Sequence, residues 1–164
     1  MTNQPETETL PMALLVQTSP LLDIYTINGK PFTGIAIEHR GNQNNPFDLS
    51  KIKTRTTFKQ GRKNGPIERF YKHGQLMYRA NYKTGKRDGL EENFFKNGQL
   101  KGKGNYKIGK RDGPWEGFHK NGKLKYRGYF KGGRKDSVFD YCDENGQFFL
   151  SGSNHESFFV SFFR

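Results

Sequence analysis

From Phe58 onward the sequence repeats itself every 24 residues, and a fixed period of that length leaves few folds open. Three segments align without gaps: FKQGRKNGPIERFYKHGQLMYRAN from Phe58, YKTGKRDGLEENFFKNGQLKGKGN from Tyr82 and YKIGKRDGPWEGFHKNGKLKYRGY from Tyr106. A fourth, FKGGRKDSVFDYCDENGQFFLSGS, starts at Phe130. Tyr or Phe stands at 58, 82, 106 and 130. Gly recurs at 61, 85, 109 and 133, and again at 74, 98, 122 and 146. A carboxylate recurs at 68, 92, 116 and 140. Stability in such a chain is a sum over nearest neighbours, and its ends need caps.

Each unit reads as a β-hairpin. Asn97-Gly98, Asn121-Gly122 and Asn145-Gly146, with His73-Gly74 as the first version, supply the positive φ of a two-residue turn. The second turn is GKRDG, at Gly85–Gly89 and Gly109–Gly113. The strands between them run about six or seven residues, an ordinary length. Alternation then assigns faces. Leu76, Tyr78, Ala80 and Tyr82 share one face, as do Leu100, Gly102, Gly104 and Tyr106, then Leu124, Tyr126, Gly128 and Phe130. The opposite face carries Arg79 and Lys83, then Lys101, Lys103 and Lys107, then Lys125, Arg127, Tyr129 and Lys131. In the other strand Phe70, Phe94 and Phe118 share a face with Glu68, Glu92 and Glu116 and form an aromatic spine along the sheet.

The expected fold is all-β, an elongated antiparallel meander of tandem hairpins. Its divisions are an N-terminal segment (1–23, loose over 1–10), a degenerate first repeat with an insertion (24–56, the insertion over 42–56), four hairpin repeats (57–153) and an aromatic capping strand (154–164). Gly29 and Gly34 frame the turn of the degenerate copy. The capping strand, SFFVSFF, covers an edge that would otherwise invite pairing.

Composition decides between order and disorder. Only 32% of the 164 residues are hydrophobic, but 15% are aromatic, the class that disordered chains lack. The net charge of +12 is concentrated. Residues 51–140 hold 25 Lys/Arg against 8 Asp/Glu, while 1–50 hold two against five and 141–164 one against three. A basic middle implies an acidic protein surface, nucleic acid or anionic lipid as partner. One cysteine, Cys142, allows no internal disulfide and fits a reducing cytoplasm. No apolar run approaches the ~18 residues of a membrane helix. The apolar stretch 11–22 follows Glu6 and Glu8 with no Lys or Arg, the wrong flank for a cleaved signal.

No residue set points to catalysis. Glu68, Glu92, Glu116 and Asp140 recur once per repeat, as structural positions do, and are expected to pair with Lys/Arg or backbone N–H. His39, His73, His119 and His155 lack metal-ligand spacing, and no cofactor motif is complete: GNYKIGKR at 104–111 lacks the Ser/Thr and the helix of a phosphate loop. Cys142 fills the slot of Phe118 and is expected to be buried and inert. The candidate partner surface is basic and aromatic. It comprises Lys101, Lys103, Lys125 and Arg127 on the sheet, and Lys86, Arg87, Lys110, Arg111, Arg134 and Lys135 along one edge. Trp115, Tyr126 and Tyr129, with Tyr78, supply aromatic anchors.

The GKRDG turns at 85–89 and 109–113, the aromatics at 94–95 and 118 and the NGQL and NGKL turns at 97–100 and 121–124 resemble the MORN-repeat variant family, most closely its bacterial YwqK-type antitoxin branch. The phrase NGKPFTG at 28–34 resembles the family's opening, and the likeness spans about residues 24–153. It implies a non-enzymatic cytoplasmic antitoxin or immunity protein that neutralises a protein toxin. The alternatives are nucleic-acid binding, through basic residues interleaved with aromatics as in Lys125-Tyr126-Arg127, and, less favoured, an anionic membrane surface.

Overall fold

The computed structural model describes residues 8–19, 24–40, 51–150 and 158–159. These residues are nearly all strand and turn, with no α-helix among them, and the chain divides into two compact units at 87/88.

The first unit runs β1 (Thr9–Pro11), a 3-10 turn (Met12–Leu14), β2 (Val16–Ser19), β3 (Ile24–Ile27), β4 (Lys30–Pro31), β5 (Gly34–His39), β6 (Ile52–Lys59), β7 (Arg62–Phe70) and β8 (Leu76–Lys83). Strands β5 to β8 pair as an antiparallel meander, and β1 joins β5 in parallel. Strands β2, β3 and β4 form a second, small sheet. That sheet closes over the meander, because Tyr25 N–H donates to the Gly61 carbonyl at 2.7 Å and Gly61 N–H to that of Phe32 at 2.6 Å. Phe32 and Phe58, each 2% exposed, are the best-buried large side chains, with the Tyr25 ring tilted against Phe58 at a centroid distance of 4.9 Å.

Two boundaries differ from the sequence reading. Thr9–Pro11 are not loose; they pair with Ile35–Ile37. The insertion expected over 42–56 ends before Ile52, since Ile52–Thr56 lie in β6 with Ile52 and Thr56 buried. Residues 42–50, like 1–7, lie outside the described residues.

The second unit takes β9 (Lys86–Phe94, which carries the boundary), β10 (Leu100–Lys107), β11 (Lys110–Phe118), β12 (Leu124–Lys131), β13 (Arg134–Lys135), β14 (Asp140–Cys142), β15 (Phe148–Leu150) and β16 (Phe158–Phe159). Successive strands pair antiparallel from β9 to β12, and both β13 and β14 pair β12. The break between β13 and β14 follows from Ser137, which stands where Gly65 and Gly113 adopt φ of 111° and 109°. A serine resists that conformation. The chain leaves β12 there, and the Ser137 hydroxyl accepts from Tyr129 N–H instead. Strand β16 pairs β15, so the tail's described residues lie on that edge.

The core of this unit is a chain of rings: Tyr106, Trp115, Phe130, Phe139, Tyr126 and Tyr141. It replaces the expected Phe70/Phe94/Phe118 spine. Those three are half-buried and stand where the ladders shift register. The inward position of the second strand is the one filled by Ile67, Glu91, Trp115 and Phe139, 24 residues apart and all buried. Opposite them in register stand small residues: Ala80 against Ile67, Gly104 and Gly128 against Trp115. A Cβ on Gly104 would enter the indole, and one on Gly128 the Phe139 ring.

The two turn types exchange roles relative to the sequence reading. The two-residue turns are Asn28-Gly29, Gln60-Gly61, Thr84-Gly85, Ile108-Gly109 and Gly132-Gly133, with positive φ at both positions. That geometry matches strand twist. The Asn-Gly pairs instead sit in longer loops. Phe95 N–H donates to the Gln99 carbonyl, Gly98 N–H donates to that of Phe95, and only the Gly has positive φ. The Asp of GKRDG is already in the strand and clamps the next turn: Asp88 accepts from Ile108 N–H and Asp112 from Gly132 N–H, both at 3.0 Å. Asn64 does the same for Thr84 at 3.2 Å.

Ile108 holds φ 50°, a conformation that a β-branched side chain resists. Ile108→Asn is therefore expected to stabilise the fold by about 1 kcal/mol, the scale of left-handed strain. A urea midpoint that falls for this variant would remove the strain argument.

Candidate functional site

In each unit one face of the sheet is crossed by alternating charges. The register places Arg55 and Arg79 either side of Glu68, Lys103 between Glu92 and Glu116, and Arg127 between Glu116 and Asp140. The contacts are close: Arg55–Glu68 at 3.0 Å, Lys103–Glu116 at 3.1 Å and Arg127–Asp140 at 2.8 Å. The Asp140 hydrogen bond and charge raise the Arg127 pKa further above its ordinary value. Opposite charges across a strand pair are favourable, and these are half-exposed and open to screening. A double-mutant cycle on Lys103→Ala and Glu116→Ala is expected to return a coupling of about 0.5 kcal/mol at low salt. Zero coupling at low salt would show the pair to be incidental. Lys103 and Arg127 thus have carboxylate partners inside the sheet.

Lys101 and Lys125 do not join them, contrary to the sequence assignment. The ladder shifts register between Leu100 and Gly102, and again between Gly117 and Phe118, so Lys101 and Lys125 are unmatched bulge residues. A bulge breaks the two-residue alternation. Both line an open groove of about 420 Å³ with Asn93, Gly102, Tyr126 and Glu144, and Lys101 Nζ sits 5.9 Å from the centre of the Phe95 ring.

The aromatic anchors divide as well. Trp115 is 8% exposed and Tyr78 is buried, so both are core and neither presents a ring to a partner. Tyr126 is half-buried against Phe139 and Tyr141. Tyr129 is exposed.

The edge row splits by parity. Its second members lean over rings: Arg111 lies 4.5 Å from the Trp115 ring and 5.1 Å from Phe130, and Lys135 lies 4.6 Å from Phe139. Arg87 Nε donates to the Tyr82 hydroxyl at 3.3 Å. A cation over a ring face is attracted by its quadrupole, so Arg111 and Lys135 support the fold, as Arg87 does through its hydrogen bond. The first members, Lys86, Lys110 and Arg134, are exposed. Lys110 stands directly opposite Lys107, and Arg134 opposite Lys131. Lys59 and Arg62 repeat the pattern in the first unit. Like charges at such positions are destabilising. Lys107 and Lys131 were missed as site residues, although pairing the strands outward from each X-Gly turn would have found them. A depression of about 640 Å³ beside them is lined by Lys107, Asp112, Tyr129, Lys131, Asp136 and Ser137.

Three groups with reactive chemistry in the second unit are tied down. Cys142 is buried, and desolvation raises its thiol pKa. His119 bonds through its ring to the Cys142 carbonyl at 2.8 Å. The Asp143 carboxylate, held by N–H groups of Gln147 and Asn145, sits below its ordinary pKa. Among the described residues no three His, Cys, Asp or Glu side chains gather as metal ligands do.

The strands, turns and charge ladder define a tandem β-hairpin repeat protein. Three consecutive segments, 63–84, 87–107 and 111–131, match the family described as MORN repeat variant. No curated protein matches the chain. Among solved structures the chain is similar to that of an S. aureus TarM mutant in complex with fondaparinux, alpha-GlcNAc-glycerol and UDP, at 10% identity and a TM-score of 0.37. The match covers 74% of this chain and 21% of that one, so the chain spans about a fifth of its length.

Proposed function

We propose that the chain is a non-catalytic binding module, and specifically a cytoplasmic antitoxin or immunity protein that neutralises a protein toxin bearing an acidic surface. The observation that carries the reading is the placing of like charges face to face at Lys107/Lys110 and Lys131/Arg134. Such pairs oppose folding, whereas the charges of mid-strand are matched. Cations kept at a cost to the fold suit an external anion, and they steer association with an acidic protein. The match to MORN repeat variant segments supports a repeat-built binding surface, and the antitoxin assignment extends the resemblance of the GKRDG and NGQL motifs.

The test is a tagged pull-down from the cell that makes the chain, with and without nuclease, followed by co-expression with the protein recovered. One stoichiometric protein that survives nuclease, and whose toxicity the chain suppresses, is the expected result. Recovery that disappears on nuclease treatment would transfer the basic surface to nucleic acid.

A further inference from the structure

The second unit exposes large apolar side chains close to its unmatched cations. Ile108 is 63% exposed and Val138 74%, and Leu90 and Tyr129 are exposed as well. Tyr129 lines one depression with Lys107 and Ser137, whose chain neighbours are Ile108 and Val138. Leu90 is opposite Asn105 in β10, and Pro114, itself exposed, is opposite Tyr129 in β12. The 136–138 loop is pinned beside Tyr129, through Asp136 N–H to its carbonyl at 2.9 Å and its own N–H to the Ser137 hydroxyl at 3.1 Å. Ile108 stands at the hairpin tip between Lys107 and Lys110, in a backbone conformation that Asn or Gly would hold without strain. Neither packing nor local conformation explains an isoleucine there. An exposed strained residue is grounds for seeking a function.

We infer that Ile108, Tyr129 and Val138 form the apolar centre of a protein-docking surface, whose occupant is an acidic protein segment carrying apolar side chains. This rests on the binding-module reading above and names the face used. Apolar anchors ringed by charge are the anatomy of a protein interface. The cations Lys107, Lys110, Lys131 and Arg134 select an acidic partner. Asp112 and Asp136, in the same depression, distinguish a protein from the other anions. Fixed carboxylates repel a phosphate backbone or an anionic bilayer, whereas a protein segment meets them with Lys, Arg or N–H groups.

The experiment places a photo-crosslinking phenylalanine analogue at Tyr129 in one strain and at Phe95, in the Lys101/Lys125 groove, in another. The expected result is a crosslink from Tyr129 to one protein of net negative charge, unaffected by nuclease. That protein, purified, should bind Ile108→Asn and the Tyr129→Ser, Val138→Ser pair at least tenfold more weakly than the parent chain. It should bind Lys101→Ser, Lys125→Ser unchanged. Ile108→Asn relieves strain, so its loss of affinity cannot come from unfolding, which circular dichroism checks. Crosslinking from Phe95 alone would leave the binding-module reading standing and overturn this surface. A Tyr129 crosslink to nucleic acid or lipid, or undiminished binding by the variants, would overturn it as well. No protein from either position would remove both.

Discussion

Gly104→Ala is expected to lower stability by about 3 kcal/mol, the upper range for overpacking a close-packed site. The methyl would occupy space held by the Trp115 indole, which reaches across Gly104 from β11. The backbone at Gly104 is not among the glycines with positive φ, so the penalty is steric rather than conformational. Trp115→Ala removes the obstacle. Alone it is expected to cost about 3–5 kcal/mol, as large aromatic truncations do. In that background Gly104→Ala should cost under ~1 kcal/mol, because residues in contact are not additive. Urea unfolding of the four proteins measures the coupling. Equal penalties in both backgrounds would show that the indole does not lie across Gly104. The same reasoning explains why Trp115 is buried and not a partner anchor: Gly104 leaves room for the ring, and Arg111 covers it.

The 24-residue period and the face of Tyr78, Ala80, Gly104 and Phe130 were legible in the sequence, because turn glycines and period-two alternation are local signals. Register was not. One unmatched residue at Lys101 or Lys125 reverses which face a side chain takes, and that depends on the neighbouring strand. Turn roles were misread for a related reason. Asn-Gly is a strong two-residue turn signal, yet here five residues separate the strand ends Phe94 and Leu100 and make the longer loop, and Thr84-Gly85 and Ile108-Gly109 take the tight one. The packing of Trp115 on Gly104 and of Phe139 on Gly128 had a signal that went unused. Small residues recur at 80, 104 and 128 against large ones at 67, 115 and 139, and writing the hairpins out in pairs shows it. Of the edge row, Arg111 and Lys135 read as docking cations until ring distances place them over Trp115 and Phe139.

The hairpin-end cations give the second large effect, because two measurable quantities should move in opposite directions. Lys110→Glu with Arg134→Glu turns Lys107/Lys110 and Lys131/Arg134 into opposite-charge pairs. Each exchange of repulsion for attraction is expected to stabilise the fold, by roughly 0.2–1 kcal/mol per pair. Partner binding should fall at least a hundredfold at low salt, most of it in the association rate, and the deficit should shrink as salt screens the surface. In co-expression the variant should accumulate as well as the parent and still fail to protect. Lost stability together with lost protection would trace the phenotype to folding. Gained stability with protection intact would make these cations solubilising groups and shift the binding role to the Lys101/Lys125 groove. Only a more stable chain that no longer binds matches cations held against the interest of the fold.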